Sequence, residues 1–250
     1  MKIVVCLKQV PDTEAAIKIG GDQKSIDESS IKFIMNPYDE FAVEEALKIK
    51  ESSGAESITA ITLGPDRAKE ALKTALAMGV DQVLHLKTAA DSMDGLATAK
   101  LLASTIQELG FDLILMGKEA IDDGNGQVGP MLSELLSVPC MTVVTKLTLD
   151  GNKVTAEREA DGSIEVLEAS LPAIITCQKG LNEPRYPSIR GVMMAKKKPI
   201  PEKAVEVSGN GLQIESLSYP PARPEGKIVG EGADAVPELV RLLHEEAKVI

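Results

Sequence analysis

Apolar residues fall in two alternating patterns over the first 140 positions. Continuous runs at residues 3–7, 57–63, 82–86 and 112–116 have the length and composition of strands buried on both faces. Between them the period lengthens to that of a helix. In residues 40–50, Ala42, Val43, Ala46, Leu47 and Ile49 are placed inward, with Glu44, Glu45 and Lys48 outward. A second helix follows Gly64-Pro65, runs through Ala68, Ala71, Leu72, Ala75 and Leu76, and stops at Gly79; a third spans 95–109 and ends at Gly110. Strands alternating with helices of this length predict βαβ units, hence a doubly wound, mostly parallel sheet of the α/β class in three Rossmann-like layers.

The pattern changes after Pro139. Residues 143–149, 154–159, 164–167 and 173–177 read as strands, and Asp150-Gly151-Asn152 and Asp161-Gly162-Ser163 as turns, which predicts a short antiparallel meander added to the sheet or leading out of it. From Gly180 to Gly232 no clear periodicity survives and prolines are frequent. Irregular chain of that length implies a function or a partner to wrap. A terminal helix over 234–247 places Val236, Leu239, Val240 and Leu243 on one face, which must dock on its own domain or on a second subunit.

One loop stands out. Gly117-Lys118-Glu119-Ala120-Ile121-Asp122-Asp123-Gly124-Asn125-Gly126-Gln127-Val128-Gly129 follows the strand at 112–116 and precedes a helical stretch at 131–136. Open α/β sheets bind ligands at the carboxyl ends of their strands. Glycines let the backbone approach an anion, and the opening amides of the next helix supply donors. The string is neither a Walker loop nor GxGxxG, so an anion site and a ligand-free surface loop both remain open. Asn36-Pro37-Tyr38-Asp39-Glu40 opens the first helix after a strand-like 31–35. Its simplest reading is an N-cap with acids in the first turn; alternatively it reaches the same cleft. His85 and His244, the two histidines, have no neighbours at metal-ligand spacing, so no metal is expected and His85 reads as structural. No GxSxG or nucleophile–histidine pair appears, so the sequence points to no catalytic site.

Composition narrows the setting. The net charge of −11 argues against nucleic acid as a partner. The charge is uneven: residues 181–203 carry +4, leaving −15 for the rest, so that segment meets a different surface. Cys6, Cys140 and Cys177, odd in number and widely spaced, suit free thiols in a reducing compartment. No run approaches the roughly 20 apolar residues of a membrane span. With no secretory segment evident at Met1, the cytoplasm is expected, or an organelle matrix after import. Three Phe, three Tyr and no Trp leave few aromatic rings on which to stack a planar ligand unaided.

Taken together, NPYDEFAVEEAL at 36–47, TALAMGVDQ at 74–82, the 117–129 string, EREADG at 157–162 and LNEPRYPSIRGVMMAKKK at 181–198 resemble the electron-transferring flavoprotein β-subunit family, in order and along nearly the whole chain. The resemblance weakens after Ile200. It implies an adenine-nucleotide-binding α/β domain over 1–180, a partner-recognition loop over 181–200, and a C-terminal arm and helix over 201–250 that pack on an α subunit. It also implies an electron carrier without an active site of its own. The redox FAD would lie mainly in the α subunit, while the β subunit holds a structural AMP or, in bifurcating members, a second FAD. Family AMP contacts fall on Cys6, on Asn36, Pro37, Tyr38 and Asp39, on Leu63, and on the loop from Gly117 to Val128, with the backbone of 125–128 facing the phosphate.

The resemblance further implies docking on acyl-CoA dehydrogenases or other flavin dehydrogenases, and onward transfer through electron transfer flavoprotein–quinone oxidoreductase to the respiratory chain. The apolar anchor corresponds to Ile189, beside Lys196, Lys197 and Lys198, and the acid that meets the mobile flavin domain corresponds to Glu159. Two positions depart from the family pattern. Met194 replaces one of two lysines methylated in animal relatives, Lys197 matching the other, and Gly126-Gln127-Val128-Gly129-Pro130 is closer to bacterial members, bifurcating ones included. Two rivals predict less. A stand-alone adenine-nucleotide sensor leaves the basic arm unexplained, and an ATP-using enzyme needs a pyrophosphate grip that Lys8-Gln9-Val10-Pro11-Asp12 lacks.

Overall fold

The computed structural model describes residues 1–88, 93–207, 209–223 and 225–250. Its centre is a nine-stranded sheet. The strands are β1 (Lys2–Leu7), β4 (Ser57–Gly64), β5 (Gln82–Lys87), β6 (Leu113–Gly117), β7 (Cys140–Asp150), β8 (Lys153–Ala160), β9 (Ser163–Ser170), β10 (Ala173–Cys177) and β11 (Glu202–Ala204), in the order β11-β5-β4-β1-β6-β10-β7-β8-β9. A separate short hairpin pairs β2 (Gln9–Pro11) with β3 (Phe33–Met35) and leads the chain from β1 into the first helix.

Apolar alternation within each strand builds two cores. Ile3, Val5 and Leu7 of β1, with Leu113 and Leu115 of β6, face one layer, under α1 (Pro37–Ser53) and α2 (Lys69–Met78). Val4, Cys6, Ile114 and Met116 face the other, where Leu102, Ala103 and Ile106 of α3 (Gly95–Leu109) and Leu132 of α4 (Val128–Leu136) cover them. Both faces of the central strands are therefore dry, which is why their sequences are continuous apolar runs. The α/β three-layer expectation holds.

The region after Pro139 differs from the expected meander in one respect. β7, β8 and β9 form an antiparallel extension, joined by two-residue loops in which Gly151 and Gly162 take φ of 58° and 71°. β10 does not continue it. It inserts between β6 and β7, parallel to both. Its buried run Ala-Ile-Ile-Thr-Cys belongs to the interior of the sheet, and strand order is something that strand signals along a chain do not encode.

The stretch from Gly180 to Gly232 also holds more structure than its periodicity suggests. Ser188 accepts from the Gly191 amide at 3.0 Å and caps the short helix α5 (Ile189–Ala195). β11 then adds in parallel beside β5. Both elements are too short for a periodic signal. By internal contacts the chain divides into units 1–215 and 216–250. The second contains the terminal helix α6 (Val236–Glu245), on which Val236, Leu239 and Val240 are exposed.

Candidate functional site

The chain runs outward from β1 to β4 and β5, then returns across β1 to β6 and proceeds the other way. The two directions part between β1 and β6, which makes the carboxyl ends of those strands the topological switch point where open α/β sheets take ligands. Asn36 and Asp39 occupy that point. Neither side chain caps its own helix, contrary to the simplest reading of the sequence: Asn36 sits at the N-cap position of α1 without a side-chain capping bond. Its amide instead reaches the loop beyond β6, donating to the Glu119 carbonyl at 2.8 Å and accepting from the Ile121 amide at 3.1 Å. Asp39 accepts from the backbone amides of Lys8 at 2.7 Å and Gly117 at 2.9 Å, and from Asn36 Nδ2 at 3.1 Å. Burial pushes the Asp39 carboxyl up to about 7, against the pull of those three donors and of the Lys8 charge. A Cβ on Gly117 would lie 2.4 Å from Asp39 Oδ1 and 2.7 Å from Tyr38 Cβ, so only glycine lets α1 start this close to β6.

The loop from Lys118 to Gln127 runs over this junction, and its second half, 122–127, is exposed. Gly124 and Gly126 take φ of 62° and 60°; the Gly124 amide donates to the Ala120 carbonyl at 2.8 Å and the Asn125 amide to Asp123 Oδ1 at 3.1 Å. Gly129 follows in the first turn of α4, where a Cβ would sit 2.6 Å from Thr176 Cγ2; the helix start is pressed onto β10. The local charges are paired. Lys8 Nζ lies 2.8 Å from Asp122 and 3.1 Å from Asp123, and Lys118 Nζ lies 3.2 Å from Glu119 and 4.9 Å from the Tyr38 ring centroid. Lys8 thus draws the two acids toward β1. An anion at the start of α4 would meet backbone donors, of which the Asn125 amide is occupied by Asp123 Oδ1 at 3.1 Å. Cys6 closes the end of β1 and Leu63, half-buried, the end of β4. Burial raises the Cys6 thiol far above its ordinary range, so it offers surface and no nucleophile.

A second surface is built from the 181–198 segment. Glu44 and Glu45 of α1, expected to face solvent, are 5% and 6% exposed. The arm covers them. Asn182 Nδ2 donates to Glu45 at 2.9 Å and to the Phe41 carbonyl at 3.0 Å, and the Arg185 guanidinium grips Glu44 at 2.8 and 2.9 Å. Beyond the arm, α5 presents Ile189, 84% exposed, and Met193, 59% exposed. Of the three lysines after it, Lys198 reaches back to the carbonyls of Val80 and Asp81, and Lys196 and Lys197 are exposed. Glu159 lies elsewhere, exposed on β8 opposite Ile164 of β9.

The family description "Electron transfer flavoprotein domain" matches residues 23–208. The electron transfer flavoprotein subunit beta of Bacillus subtilis is 42% identical over 262 aligned residues, covering 100% of both chains. The protein of the same name in Syntrophomonas wolfei is 41% identical, covering 100% of this chain and 98% of its own, and that of Mus musculus 37%, covering 96% of each. The chain belongs to the electron transfer flavoprotein β-subunit family. Membership makes it part of an electron-transferring flavoprotein, as the sequence resemblance implied.

In this β subunit the switch point gathers Cys6, the 36–39 turn, Leu63 and the 117–128 loop, which lie far apart in sequence. Lys8, Arg185, Glu44 and Glu51 were not among the sequence candidates. The basic character of the arm was the available signal for Arg185; its acidic partners read as an ordinary solvated helix face. Sequence separation also hid a cluster of Asp66, His85 and Glu202, whose donor atoms lie within 4.8 Å of one another. Lys69 lies 2.7 Å from Asp66 and 2.6 Å from Glu202, and Lys87 lies 2.8 Å from Asp66. The hydrogen bonds from Lys69 and Lys87 hold the Asp66 carboxyl down to about 2. Both carboxylates are thus neutralised by ammonium groups, and the cluster ties β11 to its neighbours. No helix among the described residues is long and apolar enough to cross a membrane.

Proposed function

We propose that this β subunit binds AMP as a structural ligand at the β1–β6 switch point and docks electron-donating flavin dehydrogenases, acyl-CoA dehydrogenases foremost, through α5. The redox FAD is held mainly by an α subunit, which hands its electrons on to electron transfer flavoprotein–quinone oxidoreductase and the respiratory chain. The chain acts as a carrier subunit with no active site of its own. The observation that carries the nucleotide reading is the convergence on one junction: a single buried carboxylate, Asp39, bonds the ends of β1 and β6 directly beneath a glycine-containing loop that leads into a helix N-terminus.

The residues fit a nucleoside monophosphate. Backbone amides from Asn125 to Val128 would face one phosphate group once Asp123 Oδ1 releases the Asn125 amide, and Lys8 offsets the charge of Asp122 and Asp123 beside it. Such a ligand stabilises by binding the folded state alone, about 2.7 kcal/mol at a hundredfold excess over its Kd. FAD supplies the redox chemistry when bound; this chain's residues supply footing and approach.

Docking has its own support. An exposed Ile and Met face beside lysines suits a partner with an apolar pocket and an acidic rim. The proposal is tested with Ile189→Ala in the purified heterodimer. Electron acceptance from an acyl-CoA dehydrogenase should slow through a raised KM while FAD content stays unchanged. Equal turnover would remove the docking role of α5.

A further inference from the structure

We propose that Arg185 and Glu44 are positioning residues for electron acceptance: they clamp the segment entering α5 to α1 and so preset the orientation of the docking helix. The inference rests on the docking role given to α5 above and adds the device that aims it.

The clamp engages most of one guanidinium. Arg185 Nε and Nη2 donate to the two oxygens of Glu44 at 2.8 and 2.9 Å, and Nη1 and Nη2 donate to Glu51 at 2.6 and 3.2 Å. The backbone amide of Arg185 adds a bond to Glu44 at 3.1 Å. Glu44 and Glu51 are seven residues apart on α1, two helical turns, so they share a face and bracket one planar group. Lysine could fill neither the fork nor the second carboxylate. Three residues earlier, Asn182 donates to both Phe41 and Glu45. Those two bonds fix its amide, whose Oδ1 is buried without a hydrogen-bond partner among the described residues. An ion pair as exposed as Arg185–Glu51, with side chains 35% and 60% exposed, adds little stability, about 0–1 kcal/mol. What charged, bidentate groups add is a single geometry.

The helix needs that geometry from outside. Seven residues are too few to hold a helix in water. The body of α5 rests on the end of α2, where Gly191 lies so close that a Cβ would meet the Ala77 carbonyl oxygen at 2.3 Å and Ala195 is buried. Lys198 holds the far end at the Val80 and Asp81 carbonyls. Arg185 fixes the near end, four residues before Ile189. With both ends held, Ile189 and Met193 stay exposed in one orientation, and a partner does not have to order them on binding.

The test uses the full heterodimer with a purified acyl-CoA dehydrogenase from the same organism as electron donor, comparing Arg185→Lys, Glu44→Gln, their double variant, the milder Glu51→Gln, and Ile189→Ala. Two quantities are read: amide hydrogen exchange across residues 189–195, and KM against kcat for the flavoprotein as acceptor. Arg185→Lys and Glu44→Gln should each speed exchange about tenfold and raise KM about tenfold, with kcat within twofold and FAD content unchanged. The double variant should be no worse than either single one, and Glu51→Gln should lie between. Unchanged exchange in Arg185→Lys overturns the clamp whatever the kinetics. Faster exchange with unchanged KM, in a system where Ile189→Ala raises KM, overturns the positioning role. An inert Ile189→Ala overturns the docking reading itself, and the inference with it.

Discussion

Asp39 Oδ1 accepts the Gly117 backbone amide at 2.9 Å, while the other oxygen of the same carboxylate accepts the Lys8 amide at 2.7 Å. The third residue of α1 thereby splices the ends of two strands that run on either side of the switch point. Without it the buried Gly117 amide would be left unmade, at a cost of about 1–3 kcal/mol, and the half-buried Lys8 amide would lose its partner as well.

The carboxyl titrates where its charge matters. Its folded value is raised, from 3.8 to about 7, chiefly by burial. A raised value means that its contribution to stability is complete below pH 3.8 and is lost as pH rises through 7. Asp39→Asn removes the titration and places one NH2 against an amide donor. The stability gap between wild type and Asp39→Asn should therefore move against the wild type as pH rises from about 4 to about 7, by up to about 4 kcal/mol at roughly 1.4 kcal/mol per unit. Thermal unfolding across that range checks it. A gap moving in favour of the wild type would mean that the three donors outweigh burial.

Gly117→Ala forces a Cβ into the Asp39 carboxylate and the Tyr38 backbone at 2.4 and 2.9 Å. Neither neighbour is the free end of a flexible side chain, so α1 must shift away from β6. A loss of about 1–3 kcal/mol is expected. The nucleotide that co-purifies should fall with it, measured by extraction.

Lys8→Met leaves the fold nearly intact, since partly exposed ion pairs are worth about 0–1 kcal/mol. It also frees Asp122 and Asp123 to face the phosphate. AMP should leave the variant several times faster than the wild type, most visibly at low salt, where repulsion is least screened. Equal release rates would remove Lys8 from the site.

Much of the fold was legible because its information is local. Continuous apolar runs gave the central strands, Gly79 and Gly110 marked helix ends, and the strand–loop–helix order located the 117–128 loop at the carboxyl edge of the sheet. What escaped depends on distant partners. Glu44 and Glu45 look like a solvated face until an arm from 137 to 141 residues away covers them. Asn36 and Asp39 carry the composition of a cap, but their partners include residues 78 to 85 positions further on. β10 carries a clear strand signal and no information about which strands flank it. α5 and β11 are held by contacts to α2 and β5, not by their own sequences.

The nucleotide seat proposed for this subunit is structural, not a second redox site. Acid extraction and chromatography of the nucleotides in the purified heterodimer tests it most directly. FAD and AMP should be recovered in equal amounts, one of each per heterodimer. Two FAD and no AMP would contradict it, placing a second flavin at the β1–β6 junction.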